Sequence, residues 1–396
     1  MSFDRKALLE TTMKAAIVGF FGSLPVSIAF TQISLGIAWA ALLIGTLAFR
    51  RPVWGRSPLD PGILAFLGAC LLATAFSPHP LESLMGMKKF YLVSAAYMVG
   101  YGVSTWERIG RLSALLIFMT VLTSVYGLSV VVFGGQWTLL GTQTMALTAS
   151  GIIMMVSLLS LALAAGLAGR ASRIWASAAT AILVASLVFT KSLSSWLGWL
   201  AGGWLLFLLF GRWRWAIFTA VAGLAVISSI YLAPSRLFYN YDFREYKSWS
   251  WRVRMTIWRT GWEIIKDRPL TGHGLVDLNE IYADKRSQIT DAPVADTRSF
   301  GHLHNNFLQV AAIGGVVGLA AFCYMLARVF MFLHSLWARS EPRARPYLAG
   351  IAAAATAFVV NGMAEWNYGD SEVMTIFWAL VGLGMAIGRG ERNDSP

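Results

Sequence analysis

The sequence predicts an all-α polytopic membrane protein, about twelve transmembrane helices with one long outer loop containing short amphipathic helices. Three observations carry this. Hydrophobic residues make up 57% of the 396 and charged residues 13%, with a mean hydropathy of +0.60, a balance that suits a chain solvated largely by lipid. Apolar runs of about 20 residues, the length that crosses a bilayer, recur along the whole chain. Arginines gather in alternate connections between those runs.

In chain order the spans fall near residues 14–30, 32–49, 60–77, 88–103, 109–132, 142–168, 172–190, 193–210, 213–232, 305–333, 345–363 and 371–388. The opening "MSFDRKALLETTMK" meets the first run without a small-residue cleavage site, so the first helix does the targeting. Only a short break near Pro25 to Gln32 separates the first pair, and only "TKSLSS", Thr190 to Ser195, separates the seventh from the eighth. With the amino terminus cytoplasmic, the even-numbered connections hold Arg50, Arg51, Arg56, Arg108, Arg111, Arg170, Arg173, Arg212, Arg214, Arg339, Arg343 and Arg345, and the tail holds Arg389 and Arg392. The short odd-numbered connections hold almost no Lys or Arg. Short cytoplasmic loops retain such residues, which sets both termini inside. The formal charge of +12 is then shared between two sides of a bilayer, and no soluble basic surface for nucleic acid is expected. Cys70 and Cys323 both lie in apolar runs and offer neither a disulfide framework nor a metal site.

Three regions follow: 1–233 with spans one to nine, 234–303 as the outer loop, and 304–396 with spans ten to twelve and a short cytoplasmic tail. The loop is longer than a connector needs and interleaves aromatic residues with charges of both signs, which suits a lid or a binding loop. Within it "SWRVRMTIWRTGWEIIKD", Ser250 to Asp267, predicts an amphipathic helix lying at the interface and ending near Pro269. Its tryptophans also suit simple anchoring.

Polar groups collect at the outer ends of the spans: His79, Glu82, Lys88 and Lys89; Gln136 and Gln143; Lys191; His302 and His304; Glu365, Asn367, Asp370 and Glu372. Uncompensated burial of such groups is costly, so a cluster near membrane depth is a functional candidate. Plainer readings stand beside this one. Lys88 and Lys89 suit snorkelling as well as ligand binding, the loop arginines suit a solvated face, and a histidine at a helix entrance suits a cap. His302 and His304 are two apart, so on a helix they would point to opposite sides and only one would serve a given reaction centre. Zinc would need three or four converging ligands, and no HxxxH, cysteine or spaced carboxylate accompanies them, so no metal or other cofactor is expected. The absence of GxxxxGK[ST] argues against a nucleotide. Basic groups beside apolar walls fit a polyprenyl diphosphate, whose diphosphate is already an activated leaving group. A histidine could accept the proton of an incoming hydroxyl while cations stabilise the departing charge.

The order "RMTIW" with Arg254, "IIKDRPLTGHG" ending at Gly274, then "HLHNNFLQVAAIGGVVGL" resembles the carboxy-terminal signature of the O-antigen ligase and O-antigen polymerase superfamily. Residue by residue, the family's catalytic histidine matches His304, followed by Asn305, and its donor-phosphate arginine matches Arg254. Members commonly carry a T-x-S-R-G-like stretch at the start of the eighth span; "TKSLSSWLG" places Leu193 where that arginine is expected and offers Lys191 as the nearby cation, without a guanidinium fork. The resemblance implies transfer of O-antigen from undecaprenyl diphosphate to lipid A-core oligosaccharide at the periplasmic face of a bacterial inner membrane. Its expected course is a metal-independent single displacement with inversion. His304 and Arg254 are the expected catalytic pair, with Lys191, Lys88, Lys89, His302 and Asn305 binding substrate. The alternatives are an O-antigen polymerase elongating an undecaprenyl-linked glycan and a transporter or flippase of an anionic lipid. The oligomeric state is left open.

Overall fold

The computed structural model describes residues 5–49, 55–232, 243–289 and 301–393. Arg50, Arg51, the boundary drawn at 233/234 and residues 290–300 of the long loop lie outside the described residues, as does the side chain of Arg392. The helices are α1 (Arg5–Ser23), α2 (Ile28–Phe49), α3 (Asp60–Ala75), α4 (Pro80–Gly86), α5 (Ser94–Gly102), α6 (Trp106–Gly134), α7 (Ala146–Gly166), α8 (Arg170–Phe189), α9 (Leu193–Leu209), α10 (Trp213–Leu232), α11 (Phe243–Asp267), α12 (Asn279–Ser287), α13 (Asn306–Arg339), α14 (Arg345–Asn361) and α15 (Ser371–Asn393). Six stretches among the described residues are long and apolar enough to cross a membrane: Ile28–Ala48, Trp106–Gly134, Ala146–Gly166, Arg170–Phe189, Asn306–Arg339 and Ser371–Gly390. The protein is thus an all-α, multi-span membrane protein. Phe30, Ile33, Ile37 and Leu47 of α2 are exposed large hydrophobics, as expected of a surface whose solvent is lipid.

The core lies along α7, α14 and α15, where Met154, Phe358 and Trp378 are fully buried. Gly198 and Gly202 let α9 press its backbone against α14: a Cβ at these positions would lie 2.7 Å from Ala357 O and 2.5 Å from Ala353 O. Lipid offers no hydrophobic drive for helices to associate, so close backbone approach at small residues does that work.

The fourth expected span is corrected. Residues 87–93 form a 3-10 turn between α4 and the nine-residue α5, so Lys88 and Lys89 sit on that turn and not at the head of one long helix. The loop also differs from expectation. Its main helix, α11, runs 25 residues, starting seven before Ser250, and only α12 is short. Ile257 and Ile264 on its inner face pack with Val276, Leu278, Tyr282 and Leu303 into a small core of their own.

The α13 helix is broken at Gly315 (φ 63, ψ −165), and the turn after α11 fills the break. His273 N–H donates to Ala312 O at 3.0 Å and Gly274 N–H to Ile313 O at 2.9 Å; in return Val316 N–H donates to Pro269 O at 2.8 Å and Val317 N–H to Leu270 O at 3.3 Å. A side chain at Gly315 would lie 2.2 Å from Leu270 O, and one at Gly272 2.4 Å from the Ile313 carbonyl carbon, which is why "PLTGHG" and "IGGVVG" need glycine where their backbones meet. Ser77 Oγ donates to His273 O at 2.7 Å and Leu275 N–H donates to Ser83 Oγ at 2.8 Å, tying the same turn to α3 and α4.

Candidate active site

The site assembles where α8 passes into α9, beside α11, the start of α13 and the turn after α14. Lys191 occupies the α8–α9 turn in the left-handed region (φ 54), and His304 precedes α13 in the same region (φ 47). Non-glycine residues pay strain there, and such strain clusters at functional sites. Lys191 is buried with its Nζ 3.9 Å from the centre of the Trp137 ring, and that burial pulls its ammonium pKa down to about 8.

Glu365, in the turn between α14 and α15, is the hub. Its Oε1 accepts from Arg254 Nη2 and its Oε2 lies 3.3 Å from His304 Nδ1. Burial alone would raise its carboxyl pKa; the Arg254 charge and the His304 contact outweigh burial and hold it below the ordinary range. Arg254 also donates from Nε to Ala364 O at 3.1 Å and from Nη1 to Ser250 Oγ at 2.6 Å, so the whole guanidinium is fixed. A cavity of about 350 Å³ opens beside these groups, lined by Trp137, Lys191, Ser194, Trp251, Arg254 and Glu365 among others. It brings together the two cations expected to hold a diphosphate.

His302 and His304 do not diverge as a helix would make them. Both lie before the first turn of α13, and their rings meet edge to face with centres 4.3 Å apart. His302 Nδ1 is buried without a hydrogen-bond partner among the described residues, and desolvation, followed by the His304 charge, pulls the His302 pKa down to about 4. Asn305 is the α13 N-cap: its Oδ1 accepts from Phe307 and Leu308 N–H at 2.8 and 3.0 Å, and its Nδ2 donates to Met363 O at 2.7 Å. Lys89 donates to Gly369 O, on the His302 side of the site, while Lys88 is exposed; neither lines the cavity.

Two things escaped the sequence reading. Glu365 was visible only as one of several outer carboxylates, and its role depends on α11 folding back over it. The second is a buried polar chain beneath the site: Ser192 to Ser195 (3.0 Å), Asn361 to Ser195 (3.0 Å), Asn367 to Asn361 (2.7 Å) and Asn306 to Asn367 (2.6 Å). It connects the Lys191 turn to the His304 turn. Asn306, the second asparagine of "HNN", belongs to this chain. Among the described residues no three His, Cys, Asp or Glu side chains converge as metal ligands would.

No curated protein matches the chain. Residues 178–323 match the family model described as O-antigen ligase, a stretch that takes in Lys191, Arg254 and His304 and stops short of Glu365. Through that segment the chain is similar to the O-antigen ligase family.

Proposed function

We propose that this enzyme moves an O-antigen polysaccharide from undecaprenyl diphosphate to lipid A-core oligosaccharide. In this reading it sits in the bacterial inner membrane with about twelve spans, both termini cytoplasmic and the His304 end of the bundle facing the periplasm. The supporting observation is the single carboxylate, Glu365, that holds Arg254 and His304 together beside the cavity containing Lys191. An ionised carboxylate only accepts, so it fixes the proton on His304 Nδ1 and leaves Nε2 to take a proton.

The donor diphosphate lies between Lys191 and Arg254. His304 Nε2 removes the proton of the acceptor hydroxyl as its oxygen bonds to the anomeric carbon, and the bond from that carbon to the diphosphate oxygen breaks. Undecaprenyl diphosphate leaves with its charge held by the two cations. Glu365 is placed, but one of its oxygens serves Arg254 and the other His304, which supports one displacement with inversion over a covalent intermediate. Lys191 and Arg254 supply the leaving-group stabilisation that a divalent ion would otherwise give, so the reaction is metal-independent in this reading.

The test is an acceptor competition with purified protein. Labelled undecaprenyl-diphosphate glycan is offered with lipid A-core and with a second undecaprenyl-linked unit, and products are separated by size. Label on lipid A-core, in the inverted anomer and unaffected by chelator, is expected. Elongation on undecaprenyl would assign the polymerase reaction instead.

A further inference from the structure

A second cavity, about 680 Å³ and within the ordinary range for ligand sites, lies between α11, α12 and the start of α13. Trp258 and Trp262, one helical turn apart on α11, line it together with Arg259, Glu263, Gln288 and Leu308. Trp262 is 55% exposed. The charges around it are largely answered from within the chain: Lys285, also in the lining, pairs with Asp267 at 2.7 Å, and Glu263 pairs with Lys266 at 2.8 Å. Two indoles in the lining among charges answered from within the chain suit an uncharged polyhydroxylated ring, whose C–H face packs on an indole while its hydroxyls both give and accept hydrogen bonds.

The cavity is coupled to the reaction centre. Trp258 Nε1–H donates to Leu303 O at 3.1 Å, and Leu303 is the residue before His304. Trp258 also meets Trp251, which lines the Lys191 cavity, edge to face with ring centres 5.5 Å apart. The two cavities therefore occupy neighbouring stripes of α11, about 90° apart at 3.6 residues per turn, with an indole pair between them.

We infer that the Trp258–Trp262 cavity binds the sugar rings of the acceptor, while the Lys191–Arg254 cavity takes the donor diphosphate. This rests on the transferase reading given above. An acceptor seated there would bring its hydroxyl toward His304 across the Leu303 backbone that Trp258 itself holds.

The experiment titrates each substrate separately with the full-length protein and measures binding of lipid-free core oligosaccharide by calorimetry. Trp262→Ala is expected to raise the acceptor KM and the oligosaccharide Kd about tenfold, the weight of one good aromatic contact, with donor KM unchanged; Trp262→Phe should recover most of the loss. Oligosaccharide binding that depends on Trp262 in a protein that transfers nothing would sustain the site and defeat the transferase reading. Unchanged oligosaccharide binding, whether alone or with weaker partition into vesicles, would overturn the inference and make these indoles membrane anchors. A rise in donor KM alone would overturn it as well.

Discussion

His304 and Glu365 are joined through Nδ1 and Oε2 at 3.3 Å, although 61 positions separate them in the chain. The same carboxylate holds Arg254, so one substitution disturbs the proposed proton acceptor and the proposed phosphate clamp together. Glu365→Gln should lower turnover by about 100-fold or more, the scale of losing an oriented acid–base group. It should also lower the thermal midpoint, because removing one partner of a buried ion pair costs about 3–5 kcal/mol. The folded pKa of Glu365 lies below its unfolded value. Its contribution to stability is therefore complete above the unfolded value and is lost as pH falls through the folded one. Thermal melts in detergent from pH 7 downward should show this loss in the wild type and not in Glu365→Gln.

The two histidines should separate by role. His304→Ala removes the proposed proton acceptor and is expected to cost about 100- to 10,000-fold in turnover with donor binding retained. His302 supports that ring by edge-to-face contact. His302→Ala should cost less, and His302→Phe should restore most of the loss by keeping a ring in place. Arg254→Lys should fall between His304→Ala and His302→Ala, since charge is kept and the three-way hold on Glu365, Ala364 and Ser250 is lost. Rates at saturating donor, with binding measured independently, decide the order; full activity in His304→Ala would end this mechanism.

Lys191 carries a pH signature. With its pKa near 8 in the folded protein, it is charged below that value and neutral above it. Donor kcat/KM should therefore fall as pH rises through about 8, and Lys191→Arg should move that alkaline limb upward because guanidinium stays charged. Stability should move the other way. Between about 8 and the ordinary lysine value the unfolded chain binds the extra proton, so folding is favoured as pH rises through that window. Paired rate and melting profiles check both signs.

Gly315→Ala should damage the protein without touching the site. A backbone at φ 63, ψ −165 is essentially open to glycine alone and costs a side chain about 1–3 kcal/mol, and the new Cβ would collide with Leu270 O. A lower melting temperature with loss of the α11–α13 contact, read by crosslinking across the turn, is expected. Gly314→Ala, where a Cβ meets nothing within 4 Å, is the control.

The all-α, multi-span character and the amphipathic α11 were legible because each rests on local pattern: apolar length and helical period. What stayed hidden depended on contacts between distant segments. Glu365 resembles Asp370 and Glu372 in sequence, and only the return of α11 over the α14–α15 turn singles it out. The convergence of His302 and His304 was hidden for a different reason. Asn305 caps α13 after them, so they follow loop geometry and not the helical period on which their expected divergence rested. The 3-10 turn at Met87–Val93 likewise leaves no mark on hydropathy, since Lys88 and Lys89 followed by an apolar run also suit the head of a straight helix.

The broken α13 helix has a consequence for how the chain is made. Alone, it would present two carbonyls and two amides with no partner in an apolar medium, each costing several kcal/mol. The backbone that satisfies them, residues 269–274, precedes the helix in the chain and so is synthesised before it. A chain permuted so that α13 emerged ahead of that turn would have to insert an unfinished helix. In the natural order the turn precedes the helix it completes, and the same four backbone bonds couple the end of α11 to the middle of α13.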